Sequence, residues 1–193
     1  LKALLRQNPD IMMIGEIRDE ETAGIAVQAA LTGHFVLSTL HTNDSAGSIQ
    51  RLINMGVRND DLATAINALM AQRLIRKLCD CKKERKLTEE EKEKIKKVLE
   101  KLSPKSGLQI PELDHVWEPV GCEKCNKIGY KGRTTISEVL VVDRDIEEMI
   151  NSGASSSQIH DKAVENGMIT MEQDGVLKVL EGETTFDEVN RVI

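Results

Sequence analysis

The sequence predicts an α/β protein, and three observations carry that expectation. Two short apolar runs, "IMMIG" at residues 11 to 15 and "HFVLSTL" at 34 to 40, each give way to a polar cluster. Between them lies a helix-length stretch with Ala23, Ile25, Ala26, Ala29 and Ala30 at helical spacing, and a second such stretch follows. Strand, helix, strand, helix in so few residues implies a right-handed parallel crossover.

Each element has its own justification. In "LKALLRQNPD", Leu1, Leu4 and Leu5 share a helical face, and the helix ends at Asn8-Pro9 because a residue before proline avoids the α region. "IMMIG" is apolar throughout and bounded by Asp10 and Gly15, as expected of a parallel strand covered on both faces. Asp19 caps the next helix and Gly33 ends it; Asp44 or Ser45 opens another, which runs past Ile49, Leu52 and Ile53 to Gly56. A longer amphipathic helix is expected from about Asp60 to Leu78, with Leu62, Ala65, Ile66, Leu69, Leu74 and Leu78 at its spacing and Arg73 and Arg76 on it. "LTEEEKEKIKKVLEKL" opens with a Thr88–Glu91 capping box and carries Ile95, Val98, Leu99 and Leu102 as one stripe. "SPKSG" at 103 to 107 reads as a loop, "KIGYKGRT" as a Gly-rich turn with Tyr130 as its packing anchor, and "TISEVLVV" as a strand. From Asp143 onward come short helices, stopped by Gly153 or opened near Ser155, at Thr170 with Gln173 and at Thr185 with Glu188. Met12, Met13, Met55, Met70 and Met171 read as core filler.

Composition narrows the function. The 193 residues are 40% hydrophobic, enough to bury a core, and 26 Lys plus Arg against 32 Asp plus Glu give a net charge of -6. That balance, with 2% aromatic residues, disfavours a nucleic-acid partner. No apolar run reaches the roughly 18 residues of a membrane span, and no signal pattern opens the chain, so a cytoplasmic location is the default expectation. The chain begins at Leu1, which suggests an excerpt of something longer.

Chemistry concentrates where the two apolar runs end. Glu16, with Arg18 and Asp19 just beyond, stands at the C-terminal edge of a parallel sheet, where open α/β sheets bind ligands. In nucleoside-triphosphate hydrolases a residue so placed orients the attacking water, while polar residues on a neighbouring tip sense the terminal phosphate. Ser38, Thr39, His41, Thr42, Asn43 and Asp44 supply such a tip one crossover later. The plainer alternative is a surface ion pair of Glu16 with Arg18 and a histidine satisfied by its surroundings.

The stretch "LRQNPDIMMIGEIRDEETAGIAVQAALTGHFVLSTLHTNDSAGSIQRLINMG" resembles the Walker B region and histidine box of the secretion ATPases of type II secretion and type IV pilus assembly. "AQRLIRKLC", two cysteine pairs and "GYKGRTTISEVL" continue the likeness in the family's order. The resemblance implies a RecA-like core, a hexameric ring, hydrolysis of ATP with Mg2+, and work on an inner-membrane platform that moves pilin-like subunits, at the cytoplasmic side of that membrane. It assigns Glu16 to the Walker B carboxylate and His34 and His41 to the histidine box, with His41 the γ-phosphate contact because it lies beyond the strand. Thr39 would assist, and Arg18 would connect nucleotide state to its surroundings. Gly15 stands where an aspartate commonly precedes the glutamate, so magnesium would be held by other groups. It also divides the chain: 1–78 as a partial ATPase core, 79–133 as a tetracysteine zinc subdomain with an inserted helix, and 134–193 as a strand plus a C-terminal helical subdomain.

No G-x-x-x-x-G-K-[ST] occurs in the sequence, so nothing in it cradles phosphates. The chain therefore resembles the C-terminal part of the family alone, and by itself is expected to bind ATP weakly. An uncovered apolar sheet face and self-association are expected with it. Cys79 and Cys81, with Cys122 and Cys125, form a C-x-C and a C-x-x-C pair, which reads as metal ligands or a redox pair. Two separated pairs exceed what a single dithiol switch needs and favour a closed tetrahedral zinc site over free or redox-active thiols. The resemblance supports zinc, although its first pair usually reads C-x-x-C, so a tighter, strained or partial site is expected, with His115 a substitute ligand or an exposed histidine. The reading from another class is a zinc-stabilised interaction module without catalytic activity.

Overall fold

The computed structural model describes residues 9–110 and 113–193, and the expected helix over Leu1, Leu4 and Leu5 lies outside them. Strand β1 (Ile11–Ile14) leads to α1 (Glu20–Leu31), β2 (Phe35–Ser38), α2 (Ser45–Asn54) and α3 (Asn59–Ala65). Then come β3 (Ala68–Leu78), β4 (Lys83–Lys86), α4 (Glu89–Leu99), β5 (His115–Glu118) and β6 (Tyr130–Val141). Four helices close the chain: α5 (Arg144–Asn151), α6 (Ser156–Glu165), α7 (Met171–Leu180) and α8 (Phe186–Asn190). It is an α/β fold, as expected. Among the described residues no helix is long and apolar enough to cross a membrane.

The chain forms two compact units, one of the described residues through Ala71 with 139–163, the other of 72–138 with 164–193. In the first, β1 and β2 pair in parallel, Ile11 opposite Phe35 through Ile14 opposite Ser38, joined by the α1 crossover. Asp19 caps α1 by accepting from the Thr22 N–H, and Gly33, at a φ of 95° that a side chain would disfavour, turns the chain into β2. Asp44 caps α2 in the same way through the Gly47 N–H. Ala23, Ala26, Ile49, Leu52, Leu62, Ile146, Ile150 and Ile159 are buried in this unit. The strand pair is not covered on both faces: Met12 and Ile14 are buried, while Ile11, Met13, Phe35 and Leu37 are exposed. The uncovered apolar face expected from the sequence is thus present.

In the second unit β4 and β5 pair antiparallel, Lys83 opposite Glu118 through Lys86 opposite His115. Leu87, Ile95, Leu99, Val116, Val176, Val179, Leu180 and Val189 make one core there. The Thr88–Glu91 capping box forms as the sequence predicts, and Glu91 is further held by Arg85 at 2.6 Å. Helices α5 and most of α6 pack with the first unit, and α7 and α8 with the second.

One long element differs from expectation. Instead of a helix from Asp60 to Leu78, the helix ends at Ala65, Ile66 turns extended (φ -93°, ψ 126°), and the chain continues as β3 paired with β6. Ala71, Ile75 and Leu78 are the buried residues of β3, and their spacing of four and three mimics a helix face. The alternation is visible only once Leu69 and Arg73 are seen half buried on the side of Ala71 and Ile75. Strand β6 likewise begins earlier than expected and takes in Gly132 and Arg133, which were expected in the turn. Two methionines expected in the core, Met13 and Met70, are exposed.

Candidate functional site

The parallel pair continues beyond its last register position. Ile17 N–H donates to the Thr39 carbonyl at 3.0 Å, and Thr39 Oγ1 donates to the Gly15 carbonyl at 2.7 Å. These two bonds hold the segments leaving β1 and β2 side by side, which places Glu16 and His41 on adjacent tips. His41 Nε2 lies 3.2 Å from Glu16 Oε2, and Arg18 Nε lies 2.6 Å from the same oxygen. Both contacts fall on Oε2, so among the described residues Oε1 is left open. The Arg18 guanidinium first, and then His41, hold the Glu16 carboxyl below the usual carboxylate range, so it is ionised at neutral pH. The three side chains are well exposed, at 37% for Glu16, 70% for Arg18 and 81% for His41. The surface ion pair that was the plainer alternative is therefore present, and it is part of the same cluster as the imidazole.

Several neighbouring polar groups are committed elsewhere. The Thr39 hydroxyl proton is used on Gly15, so Thr39 fastens the tip. Thr42 Oγ1 bonds Ser48 Oγ at 2.8 Å and Asp44 caps α2, so these two side chains of the polar stretch at 38 to 44 serve the start of that helix. His34 stands apart from Glu16, at the other end of β2, with Nδ1 3.0 Å from the Ala29 carbonyl and 3.1 Å from Thr32 Oγ1. Its position before the strand puts it on the turn from α1. A cavity of about 910 Å³ along α1 and the Gly56–Arg58 turn includes neither Glu16 nor His41.

The tip does not fit a resident magnesium ion. Such an ion takes near-octahedral oxygen ligands. Here a single carboxylate has its Oε2 already occupied by a guanidinium and an imidazole, and Gly15 brings no ligand.

The second candidate site lies in the second unit. The Sγ atoms of Cys79, Cys81, Cys122 and Cys125 all lie within 4.8 Å of one another. Cys79 to Cys122 and Cys81 to Cys125 are 3.9 Å, and Cys122 to Cys125 is 3.8 Å. A tetrahedron with Zn–S bonds of about 2.3 Å has edges of about 3.8 Å, so the donor set fits zinc. No disulfide joins them. The short C-x-C spacing is accommodated because Cys79 follows directly on β3, with its N–H bonded to the Gly129 carbonyl, while Cys81 sits in the turn that Lys82 N–H closes onto the Cys79 carbonyl. In the other knuckle, Gly121 has φ 97°, and a Cβ there would lie 2.5 Å from the Lys127 carbonyl oxygen. The Cys122 and Gly129 N–H groups both point at Cys125 Sγ, at 3.1 and 3.3 Å. Those donors, Cys122 first, pull the Cys125 thiol down to about 6, whereas burial pushes Cys81 up to about 12. His115 is not among the ligands: it packs edge-on to Trp117 and lies 4.0 Å from Glu84.

A residue that the sequence left unassigned organises the neighbourhood. Arg76, expected on a helix, lies on β3, donates to Glu188 at 2.5 Å and stacks 4.4 Å over the Tyr130 ring, whose hydroxyl bonds Thr185 Oγ1. Its hint in the sequence was the Thr185–Glu188 spacing, but the Glu188 carboxylate turns to Arg76 and Arg191.

The whole chain has relatives among known proteins. The model of the family described as "Type II/IV secretion system protein" matches residues 1–191. Type II secretion system protein E of Aeromonas hydrophila is 45% identical over 193 residues, which are 100% of this chain and 36% of that protein. The type IV pilus assembly ATPase PilB of Thermus thermophilus is 45% identical over 192 residues, 98% of this chain and 20% of that one. Among solved structures, the pilus retraction motor PilT with bound ADP gives a TM-score of 0.65 at 22% identity, over 100% of this chain and 42% of that one. The Legionella pneumophila ATPase DotB gives 0.63 at 20%, over 99% and 40%.

Proposed function

The chain belongs to the Type II/IV secretion system protein family, and on that premise we propose that it is the C-terminal part of an ATPase that drives type II secretion or type IV pilus assembly. The observation that carries the reading is the convergence of Glu16 and His41, 3.2 Å apart on adjacent parallel strand tips. Glu16 is the Walker B carboxylate. Ionised and held through Oε2, it presents Oε1 to a water and orients it for in-line attack on the terminal phosphoryl group of ATP. Its lowered proton affinity suits orientation better than proton abstraction from the ground-state water. His41 shares Glu16 Oε2 and is the phosphate-sensing partner: on exchanging that oxygen for a phosphoryl oxygen it would free the carboxylate. Arg18 and Thr39 position the pair, and His34 fixes the turn that starts β2.

The 193 residues contain no phosphate-cradling loop, so the chain alone binds ATP weakly, and magnesium is held by the phosphates and by groups outside the described residues. Cys79, Cys81, Cys122 and Cys125 hold a structural zinc, which supplies a cross-link and leaves no open position for chemistry. The core is RecA-like, and residues 79–133 form the zinc subdomain. The whole protein works as a hexameric ring on the cytoplasmic side of an inner-membrane platform. In the full-length protein, Glu16→Gln lowers ATP turnover by about a hundredfold with nucleotide binding retained. Turnover at the native rate would remove Glu16 from catalysis.

A further inference from the structure

Three arginines with no part in the proposed nucleotide site line a recess of about 480 Å³ in the second unit, together with Leu74 and Ile75. Two are fixed in place. Glu188, 1% exposed, accepts from Arg76 Nη2 at 2.5 Å and from the Arg76 backbone N–H at 2.9 Å, and it holds Arg191 through Nε at 3.2 Å and Nη2 at 3.0 Å. Tyr130 stacks on the Arg76 guanidinium from one side. The third, Arg133, is exposed, and among the described residues no ion pair or hydrogen bond engages its side chain. One buried carboxylate against three guanidinium groups leaves a local charge of about +2, while each pinned guanidinium keeps N–H groups that Glu188 does not use.

We propose that this recess binds the phosphoryl group of a phosphate ester. A guanidinium fork matches phosphate oxygens, and the surplus charge matches a dianion. The exposed side chain of Leu74 at the rim adds an apolar surface for the organic part of the ester, which bare phosphate would not use. Arg133 supplies the free charge, and Glu188 acts as a positioning residue that keeps Arg76 and Arg191 aimed.

The test is titration of the full chain, zinc-loaded and reduced, with inorganic pyrophosphate, followed through the arginine Nε–H resonances. A parallel arm measures co-sedimentation with vesicles of phosphatidylglycerol against phosphatidylcholine. Pyrophosphate is expected to shift Arg76, Arg133 and Arg191 together. Arg133→Gln weakens binding about tenfold or more, and Arg133→Lys less. An unchanged melting curve and zinc content for Arg133→Gln show that the fold is intact. Arg133-dependent capture by the anionic vesicles identifies a lipid headgroup as the source, and binding of the soluble anion without capture identifies a free ester. The proposal fails if neither probe binds, if Arg133→Gln binds as native, or if polyglutamate displaces pyrophosphate at equal charge, which would mark an acidic peptide site. This site is read through Arg133 and anion binding, and the nucleotide reading through ATP turnover of full-length Glu16→Gln, so failure of one leaves the other standing.

Discussion

The strand tips of the first unit and the thiol cluster of the second are held in opposite ways. Glu16 and His41 are exposed, joined by one 3.2 Å contact, and among the described residues Glu16 Oε1 has no partner. Cys79 and Cys125 are 3% and 4% exposed, and Cys125 is wrapped by two backbone N–H donors and three other thiols. A site whose ligand must enter and leave keeps donors and acceptors unspent. A site that serves as a cross-link spends them all on its own chain. The contrast predicts a second unit that depends on its cluster and a first unit nearly indifferent to its pair.

Metal removal gives the largest effect. Structural zinc contributes on the order of 10 kcal/mol in small zinc domains. Chelation under reducing conditions is therefore expected to abolish hydrogen-exchange protection around β4, β5 and residues 122–129, and to leave α1 and α2 protected. One zinc per chain is expected on metal analysis. Loss of protection that is uniform across both units would end the contrast, as would a chain with no zinc.

Acid gives the next largest. Arg76 holds the Glu188 carboxyl at about 2, and Arg85 does the same for Glu91, also about 2, both in the second unit. Each folded value lies below the unfolded one of about 4.3, so each carboxylate contributes stability that is complete above that pH. The contribution disappears as pH falls from about 4.5 towards 2. Glu188 contributes roughly 2 kcal/mol once screening of its half-exposed arginine partners is allowed for. Acid titration followed by exchange should thus loosen the second unit first, and Glu188→Gln should flatten that limb. If the first unit opens first, these ion pairs do not govern acid stability.

What the sequence shows follows the same division between local and distant causes. The β1–α1–β2–α2 succession and the caps at Asp19, Asp44, Thr88, Thr170 and Thr185 are legible because each signal lies within a few residues of its effect. The position of Glu16 and His41 is legible for a related reason, since a polar residue just past an apolar run stands at a strand end. Strand β3 is hidden because its burial spacing imitates a helix. Strand β4, "KERK", is hidden because it has no apolar alternation at all and depends on pairing with β5. The Arg76–Glu188 pair, the commitment of Thr39 to Gly15 and the separation of His34 from Glu16 are products of packing, between residues far apart in the chain or at opposite ends of one strand.

The smallest effect tests how the open tip is held. Thr39 Oγ1 donates across the tip to the Gly15 carbonyl, and its side chain lies at the surface, so Thr39→Val should cost the first unit only about 1 kcal/mol. Thr39→Ser keeps the hydroxyl and should cost less. If Thr39 only fastens the two segments, then in the full-length protein Thr39→Val lowers kcat by loosening the Glu16–His41 geometry, Thr39→Ser restores most of it, and KM for ATP stays near native in both. A rise in KM with kcat unchanged would mean instead that the hydroxyl touches the nucleotide. The bond to Gly15 would then be one that the ligand displaces, and the tip would be an element that rearranges on binding.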